Sequence, residues 1–416
     1  MTDVVIVGGA ASGLVAACQA GSLGLSVVLL EKEARVGRKL LSTGNGQCNL
    51  SNRDLSFSHF HGSLMEQGIG RKVIEAVSFD RVEDFWREIG IEYVEQQRGK
   101  LYPRSLQASS VLNALRRRLE DLGVKVMTEK EVKRIQQGKR SLKVYLSDGG
   151  CIEGKTVILT AGGKASPALG SKGEGYAIAS GLHLKVSPLR PGICRVLSSS
   201  PYCKRLGGLR MTVPCRLVAG EEILETTEGE VLFTEEGLSG PAILDLSRKA
   251  GEMLEEGKEV SVQLDLASEM KEGEVFGYLT ERLRRLSSWS LEDALEGWLP
   301  KKIIPVVLLM AKVEKTVVSG DVDKRSLTRL VKVLKGFAMP LSGLAGFKEA
   351  QVTVGGILAE EVTAELEAKK VPGLFLAGEI LDLDGDCGGY NLLWAAASGM
   401  KAAESAYSFV YKEIHD

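Results

Sequence analysis

The sequence predicts an α/β fold in which a parallel sheet carries a nucleotide-type turn and is interrupted by a long insert. Three observations carry that expectation. Val4-Val5-Ile6-Val7 is an apolar β-type run that meets a glycine turn and then the small-residue stretch Leu14–Ala20, which is the order strand, turn, helix. Two further apolar runs, Thr156–Ala161 and Leu374–Ala377, also end in glycines, at Gly162-Gly163 and at Gly378. Between them, from about residue 190 to 350, Pro188, Pro191, Pro201 and Pro214 break up short β-type runs, helical periodicity follows, and strand-type sequence returns at Val352.

The bulk properties narrow the class. A chain of 416 residues is too long for one ordinary domain. Its 44% hydrophobic and 26% charged residues are globular values, and a net charge of −1 provides no field that favours nucleic acid or a membrane surface. The longest apolar run, Ile303–Ala311, contains Pro305 and is far short of a membrane span. With a strand starting at Val4, no secretory signal is expected. The seven cysteines form no C-x-x-C pair and no zinc-type cluster, as expected of cytoplasmic thiols. Of the four histidines, only His59 and His61 are close in sequence, and two histidines do not make a metal site; none is expected.

In chain order, Gly8, Ala10 and Gly13 fill the three positions of a G-x-G-x-x-G turn, with Ala11 and Ser12 between the last two. The second strand, Ser26–Leu30, ends at Glu31, close to the spacing of a ribose-binding acid. Lys32–Asn52 follows. It is dense in donors (Ser42, Gly44, Asn45, Gly46, Cys48, Asn49) and suited to wrapping a polar ligand, with Arg38 and Lys39 as cations for a pyrophosphate. Residues 62–90 read as helix, Ile91–Arg98 as a strand, Leu101–Ser105 as an extended turn and Ser109–Leu122 as an amphipathic helix. Val124–Met127, Val132–Gln136, Leu142–Leu146 and Cys151-Ile152 alternate and read as antiparallel strands. Residues 188–270 read as a β-rich insert with a hairpin at Glu222–Phe233. Helices are expected at Val275–Leu286, Leu291–Trp298, Ile303–Ala311 and Leu327–Leu334, and the first domain resumes with the strand Ala350–Ile357 and a small-residue helix from Ala395.

The N-terminal fingerprint, the mid-chain strand ending in glycines, and Gly378-Glu379 before a loop and helix resemble FAD-binding proteins with a glutathione-reductase-like Rossmann domain. Specific segments bring the resemblance closer: Gly37–Ser42, Gln47–Asn52, Leu159–Lys164, Leu232–Thr234 with Gly237–Pro241, Val352–Ile357, and Gly373–Glu379 with Asp382, Asp384, Gly385 and Gly388–Asn391. Together they are similar, in order and over essentially the whole chain, to the HI0933-like bacterial flavoproteins. Those include bile-acid 3-oxo-Δ4,6 reductases and aminoacetone oxidases. Gln47, where members usually carry Arg, and Glu235, where many carry His, depart from the pattern.

The resemblance implies a cytoplasmic FAD-dependent oxidoreductase. Its FAD domain would span 1–190 and 350–416, with a β-barrel-like insert at 191–272 and a helical cap at 273–349, and the whole stretch from about 190 to 350 is expected to form a separately packed lid. It implies FAD contacts from the residues above and from Lys32, Val132, Ala161, Gly162, Gly163, Gly378, Glu379, Asp384, Gly389, Tyr390, Asn391 and Leu392, with the last helix pointing its N-terminus at the flavin. No second dinucleotide fingerprint is present, so NAD(P)H is expected as a transient electron donor. The leading expectation is hydride transfer to an activated C=C of an apolar small molecule such as a steroid-like enone. Amine oxidation by oxygen and a non-catalytic or RNA-modifying assembly role are the alternatives. Tyr390, Glu235, Tyr102 and Cys48 are the acid–base candidates.

Overall fold

The computed structural model describes residues 1–415 and divides them into two compact units, 1–191 with 347–415 and 192–346. The first unit is built on a seven-stranded sheet. Its parallel part runs Lys125–Met127, Val27–Leu30, Thr2–Val7, Cys151–Leu159, Leu374–Leu376, and Leu142–Leu146 and Val132–Gln137 extend it as antiparallel strands. The long strand Cys151–Leu159 makes this mixture possible. Its first half pairs antiparallel with Leu142–Tyr145, and its second half pairs parallel with Leu374–Leu376. The buried runs Val4–Val7 and Val157–Leu159 lie side by side at the centre, as continuous apolar strands should.

Two helices cover this centre. Ala11–Ser22 and Tyr390–His415 approach each other closely because the contact is made of small residues. A Cβ on Gly399 would stand 2.6 Å from the Ser12 carbonyl oxygen.

Several expectations are corrected. Lys125–Met127 is parallel to Val28–Leu30, not antiparallel; it alternates because it is the exposed sheet edge. Cys151-Ile152 is not a strand of its own but the start of Cys151–Leu159. The region 62–90 is three helices, Ser63–Glu66, Ile69–Val77 and Phe79–Glu88, broken where Gly68 and Ser78 take φ of +74° and +58°. Leu101–Pro103 belongs to a strand, Lys100–Pro103, that pairs with Ser51-Asn52 and Tyr93–Glu95.

The second unit is a closed six-stranded barrel with helices packed on it. Its strands, in order around the barrel, are Val196–Ser198, Gly237–Ser239, Glu222–Thr234, Arg210–Ala219, Val260–Leu264 and Phe337–Leu344. Glu222–Thr234 is one long strand rather than a hairpin, the turn lying before it at Gly220 (φ +61°). Pro241–Glu255 is a helix inside the stretch expected to be β-rich, and Pro241 at its first turn suits a helix start. The closing strand Phe337–Leu344 falls within the stretch expected to be a helical cap. Barrel and helices share one apolar cluster, in which Phe233 and Phe337 meet edge to face at 6.2 Å, so 191–272 and 273–349 do not have separate cores.

Candidate functional site

The fingerprint turn is fixed by crowding. Gly8 has φ +109°, and a Cβ there would lie 2.5 Å from the Thr160 carbonyl oxygen. A Cβ on Gly13 would lie 1.9 Å from the Gly8 carbonyl oxygen. Glycine at 13 therefore lets the first helix press against the turn. The Thr160 hydroxyl, at 3.0 and 2.9 Å from the carbonyl oxygens of Val7 and Gly8, ties the neighbouring strand to the same point. Helix Ala11–Ser22 has no side-chain cap, so its first N–H groups and the positive end of its dipole face the turn unspent, an arrangement that suits a phosphate.

Glu31 closes the next strand. Its Oε2 accepts from Gly9 N–H at 2.9 Å and its Oε1 from Glu33 N–H at 2.8 Å. Burial raises its pKa against the lowering effect of those two bonds. A carboxylate with about four lone-pair sites keeps capacity for ribose hydroxyls. Gly8, Ala10, Glu31, Lys32, Arg38, Lys39, Val132 and Ala161 line one cleft at this strand edge.

The cations there are held by carboxylates. Arg38 pairs with Glu33 and Lys32 with Glu174. Lys39 Nζ lies 2.6 Å from Glu379 Oε2, bringing together two expected residues far apart in sequence, and Glu379 Oε1 also accepts from Thr353 N–H at 2.8 Å. Gly163 must be small beside them, since a Cβ would lie 2.3 Å from Thr353 Oγ1 and 2.7 Å from Glu379 Oε1. Gly162 (φ +70°) and Gly378 (φ +81°) turn their strands away, and Gly378 packs on Ser12. The sequence does not single out Glu33 or Glu174, because nothing local marks a partner contributed by another segment.

The remaining expected residues gather at the start of the last helix. Gly44, Asn45, Gly46 and Cys48 all have positive φ, which folds the loop back on itself so that Gln47 N–H donates to the Gly44 carbonyl at 3.1 Å and Cys48 N–H to the Thr43 carbonyl at 2.9 Å. Tyr102 packs on Gly44, where a Cβ would be 3.2 Å from Tyr102 Cε1, and burial raises the phenol pKa. Asn52 Nδ2 donates to the Gly388 carbonyl at 3.0 Å, tying this loop to the helix start. Asn49 Oδ1 and Ser51 Oγ are buried there without a hydrogen-bond partner. Buried polar atoms demand partners. Orphaned atoms beside a positive-φ loop and a helix N-terminus fit the polar ring end of a flavin, as the fingerprint cleft fits its nucleotide end.

Some site expectations change. Gly389 (φ +99°) must be small because a Cβ would lie 2.4 Å from the Ser51 carbonyl oxygen. The Asn391 side chain clasps the preceding loop. Its Oδ1 accepts from Gly385 N–H at 2.9 Å and its Nδ2 donates to the Gly385 carbonyl at 2.6 Å, leaving its backbone rather than its side chain for a ligand. The Cys48 thiol is buried and pushed up to about 12, which removes it as an acid–base group. The Ser42 hydroxyl donates to the Lys39 carbonyl inside its own helical turn. Asp384 is buried in a short strand pairing with His61, and Leu392 is half-buried. Glu235 is exposed in the turn between two barrel strands of the second unit. Tyr390 is buried, stacked on His59 at 4.5 Å with 17° between the planes, and met edge-on by Phe60.

Comparison with known proteins agrees with this arrangement. The HI0933-like protein Rossmann domain matches residues 2–405. The chain belongs to the HI0933-like family. A 3-dehydro-bile acid delta(4,6)-reductase of Clostridium scindens is 33% identical over 98% of this chain and 99% of its own length. A ribosomal RNA dihydrouridine synthase of Haemophilus influenzae is 27% identical, over 97% of this chain and 98% of its own. The solved structure of 3-ketosteroid delta1-dehydrogenase from Sterolibacterium denitrificans shares the fold with a TM-score of 0.53 at 13% identity, over 98% of this chain and 99% of that one. This member of the family is an FAD-dependent oxidoreductase.

Proposed function

We propose that the enzyme reduces a C=C bond conjugated to a carbonyl, with NAD(P)H as electron source and a 3-oxo-Δ4 or Δ4,6 steroid or bile-acid-like enone as substrate. The observation that carries this reading is the 33% identity, over nearly the whole of both chains, to the bile-acid delta(4,6)-reductase. The balance is simple. NAD(P)H gives up a hydride and becomes NAD(P)⁺. The β-carbon of the enone gains that hydride, and the α-carbon gains a proton.

FAD, when bound, supplies the hydride relay between donor and substrate. The chain's own groups do the rest. The fingerprint turn and Glu31 hold the adenosine half, and the Gly44–Asn49 loop and the start of the last helix hold the ring end. That helix N-terminus favours negative charge developing beside it. Tyr390 and Tyr102 are the proposed proton donors within the first unit. Burial keeps the Tyr102 phenol protonated, as a donor must be.

A specific observation favours a second reading. Two relatives at 27% identity, from Haemophilus influenzae and Escherichia coli, are ribosomal RNA dihydrouridine synthases. Dihydrouridine is uridine with its C5=C6 bond saturated, and that bond is also conjugated to a carbonyl, so the hydride-plus-proton chemistry would be the same. The deciding experiment is anaerobic. NADH or NADPH should bleach the bound flavin, and a 3-oxo-Δ4 steroid should restore its colour. No bleaching by either nicotinamide, or bleaching by aminoacetone instead, defeats the reductase reading. Bleached protein that ignores the steroid but forms dihydrouridine in ribosomal RNA moves the assignment to the second reading.

A further inference from the structure

Behind Tyr390 lies a cluster that the reaction so far does not use. His59 Nδ1 is 2.9 Å from Asp386 Oδ2, and His59 Nε2 is 3.0 Å from Asp54 Oδ2. His61 Nε2 is 2.7 Å from the other Asp386 oxygen. An ionised carboxylate only accepts hydrogen bonds, so a ring bonded to carboxylates through both nitrogens carries both protons and a positive charge. The backbone fixes the same geometry: Asp384-Gly385 pairs with Phe60-His61, and Asp386 N–H donates to the His59 carbonyl at 2.9 Å. The face of His59 that is left over carries the Tyr390 ring, nearly parallel at 4.5 Å, as a cation on an aromatic face should lie. Among the described residues no group of three or more His, Cys, Asp or Glu is disposed to hold a metal ion, so the cluster is not a metal site.

We propose that His59 is a positioning residue: its protonated ring, clamped between Asp54 and Asp386, holds the Tyr390 ring at the start of the last helix and releases it on losing its proton. The inference rests on the reading of Tyr390 as part of the reductase site. The groups facing His59 are the two carboxylates, the Tyr390 ring and, across Asp386, His61. Burial is the largest single influence on His59 and lowers its pKa, but the two carboxylates together outweigh it, with a net rise; burial likewise pushes Asp386 up, and the two imidazoles together hold its carboxyl below its ordinary value. Charge is thus retained to higher pH than on an ordinary histidine and is lost as pH rises through the raised value.

The chain has only four histidines, which makes the test direct. The FAD-loaded protein is labelled with ¹³C-histidine and 3-fluorotyrosine, and the two resonances are assigned with H59F and Y390F. His59 is expected to hold its proton to higher pH than an ordinary histidine, and the Tyr390 fluorine signal to step at the same midpoint. H59F keeps an aromatic ring over Tyr390 but abolishes the step. D54N, which alters only an exposed acid and should leave the fold intact, lowers the midpoint. Through that midpoint kcat should fall by about tenfold to a hundredfold, the scale of a slightly misplaced group, while KM for NAD(P)H stays within about twofold. A Tyr390 signal that ignores His59, or a midpoint unmoved in D54N, overturns the proposal. Coupled signals in a protein that reduces no enone would overturn the substrate reading alone.

Discussion

Single atoms decide what several of these residues do. At Gly13 the nearest obstacle to a Cβ is backbone only 1.9 Å away, which no side-chain rotation relieves. Gly13→Val should therefore push the first helix off the fingerprint turn and lower FAD occupancy; acid release and chromatography should recover much less flavin from the variant, and FAD rather than FMN from the parent. At Asn391 the amide both donates and accepts. Asn391→Asp keeps the acceptor for Gly385 N–H but sets a carboxylate oxygen against the Gly385 carbonyl. Leaving that carbonyl unpaired should cost about 1–3 kcal/mol in urea unfolding. Cys48 shows how little of a residue's chemistry its type reveals. Its place in a donor-rich loop suggests reactivity, yet burial pushes the thiol up to about 12. Mass spectrometry after alkylation of the native protein should find exposed Cys151 modified and Cys48 untouched.

At the scale of elements, the strands of the central sheet were legible because buried parallel strands are unbroken apolar runs, and the fingerprint helix because its small residues follow a glycine turn. What escaped was pairing. The strand Phe337–Leu344 closes a barrel with partners as distant in sequence as Val196, which pairs with Leu344, and no local pattern says whether its neighbour is a helix or a strand. The short strands Phe60-His61 and Asp384-Gly385 were invisible for the same reason, and with them the His59–Asp386 staple. This staple gives the pair a pH signature. Since the folded pKa of His59 is raised, its contribution is complete below its unfolded value of about 6.5 and fades as pH rises through the folded value. Since that of Asp386 is lowered, its contribution is complete above about 3.9 and fades as pH falls through the folded value. The stability difference between the parent and H59Q in urea should therefore be largest between about pH 4 and 6.5 and shrink on the alkaline side. A difference that grows above neutrality would contradict a protonated His59.

At the scale of the whole molecule, the two ends of the insert explain how one chain carries two cores. The chain leaves the first unit through Arg190–Gly192 and re-enters through Val352–Val354, and these two strands are hydrogen-bonded to each other. A composition break was visible near both points, and inside the insert the barrel and helices share one apolar cluster, which the sequence does not show because an apolar helix face carries no mark of whether it packs on helices or on a barrel. Every expected FAD contact, from Gly8 to Leu392, lies outside residues 192–346. If those contacts suffice, replacing 194–345 by a short glycine–serine linker should leave a protein that folds, since its core cluster is untouched and the linker joins strands already paired. It should remain yellow, with FAD rather than FMN, and hold the cofactor within about tenfold of the parent, a loss of no more than about 1.4 kcal/mol. Calorimetry of the intact chain should then show a transition that FAD shifts upward, matching the excised unit's own, as ligand linkage requires. A colourless but folded product would mean that the fingerprint cleft, the positive-φ loop and the last helix do not make a complete cofactor site by themselves.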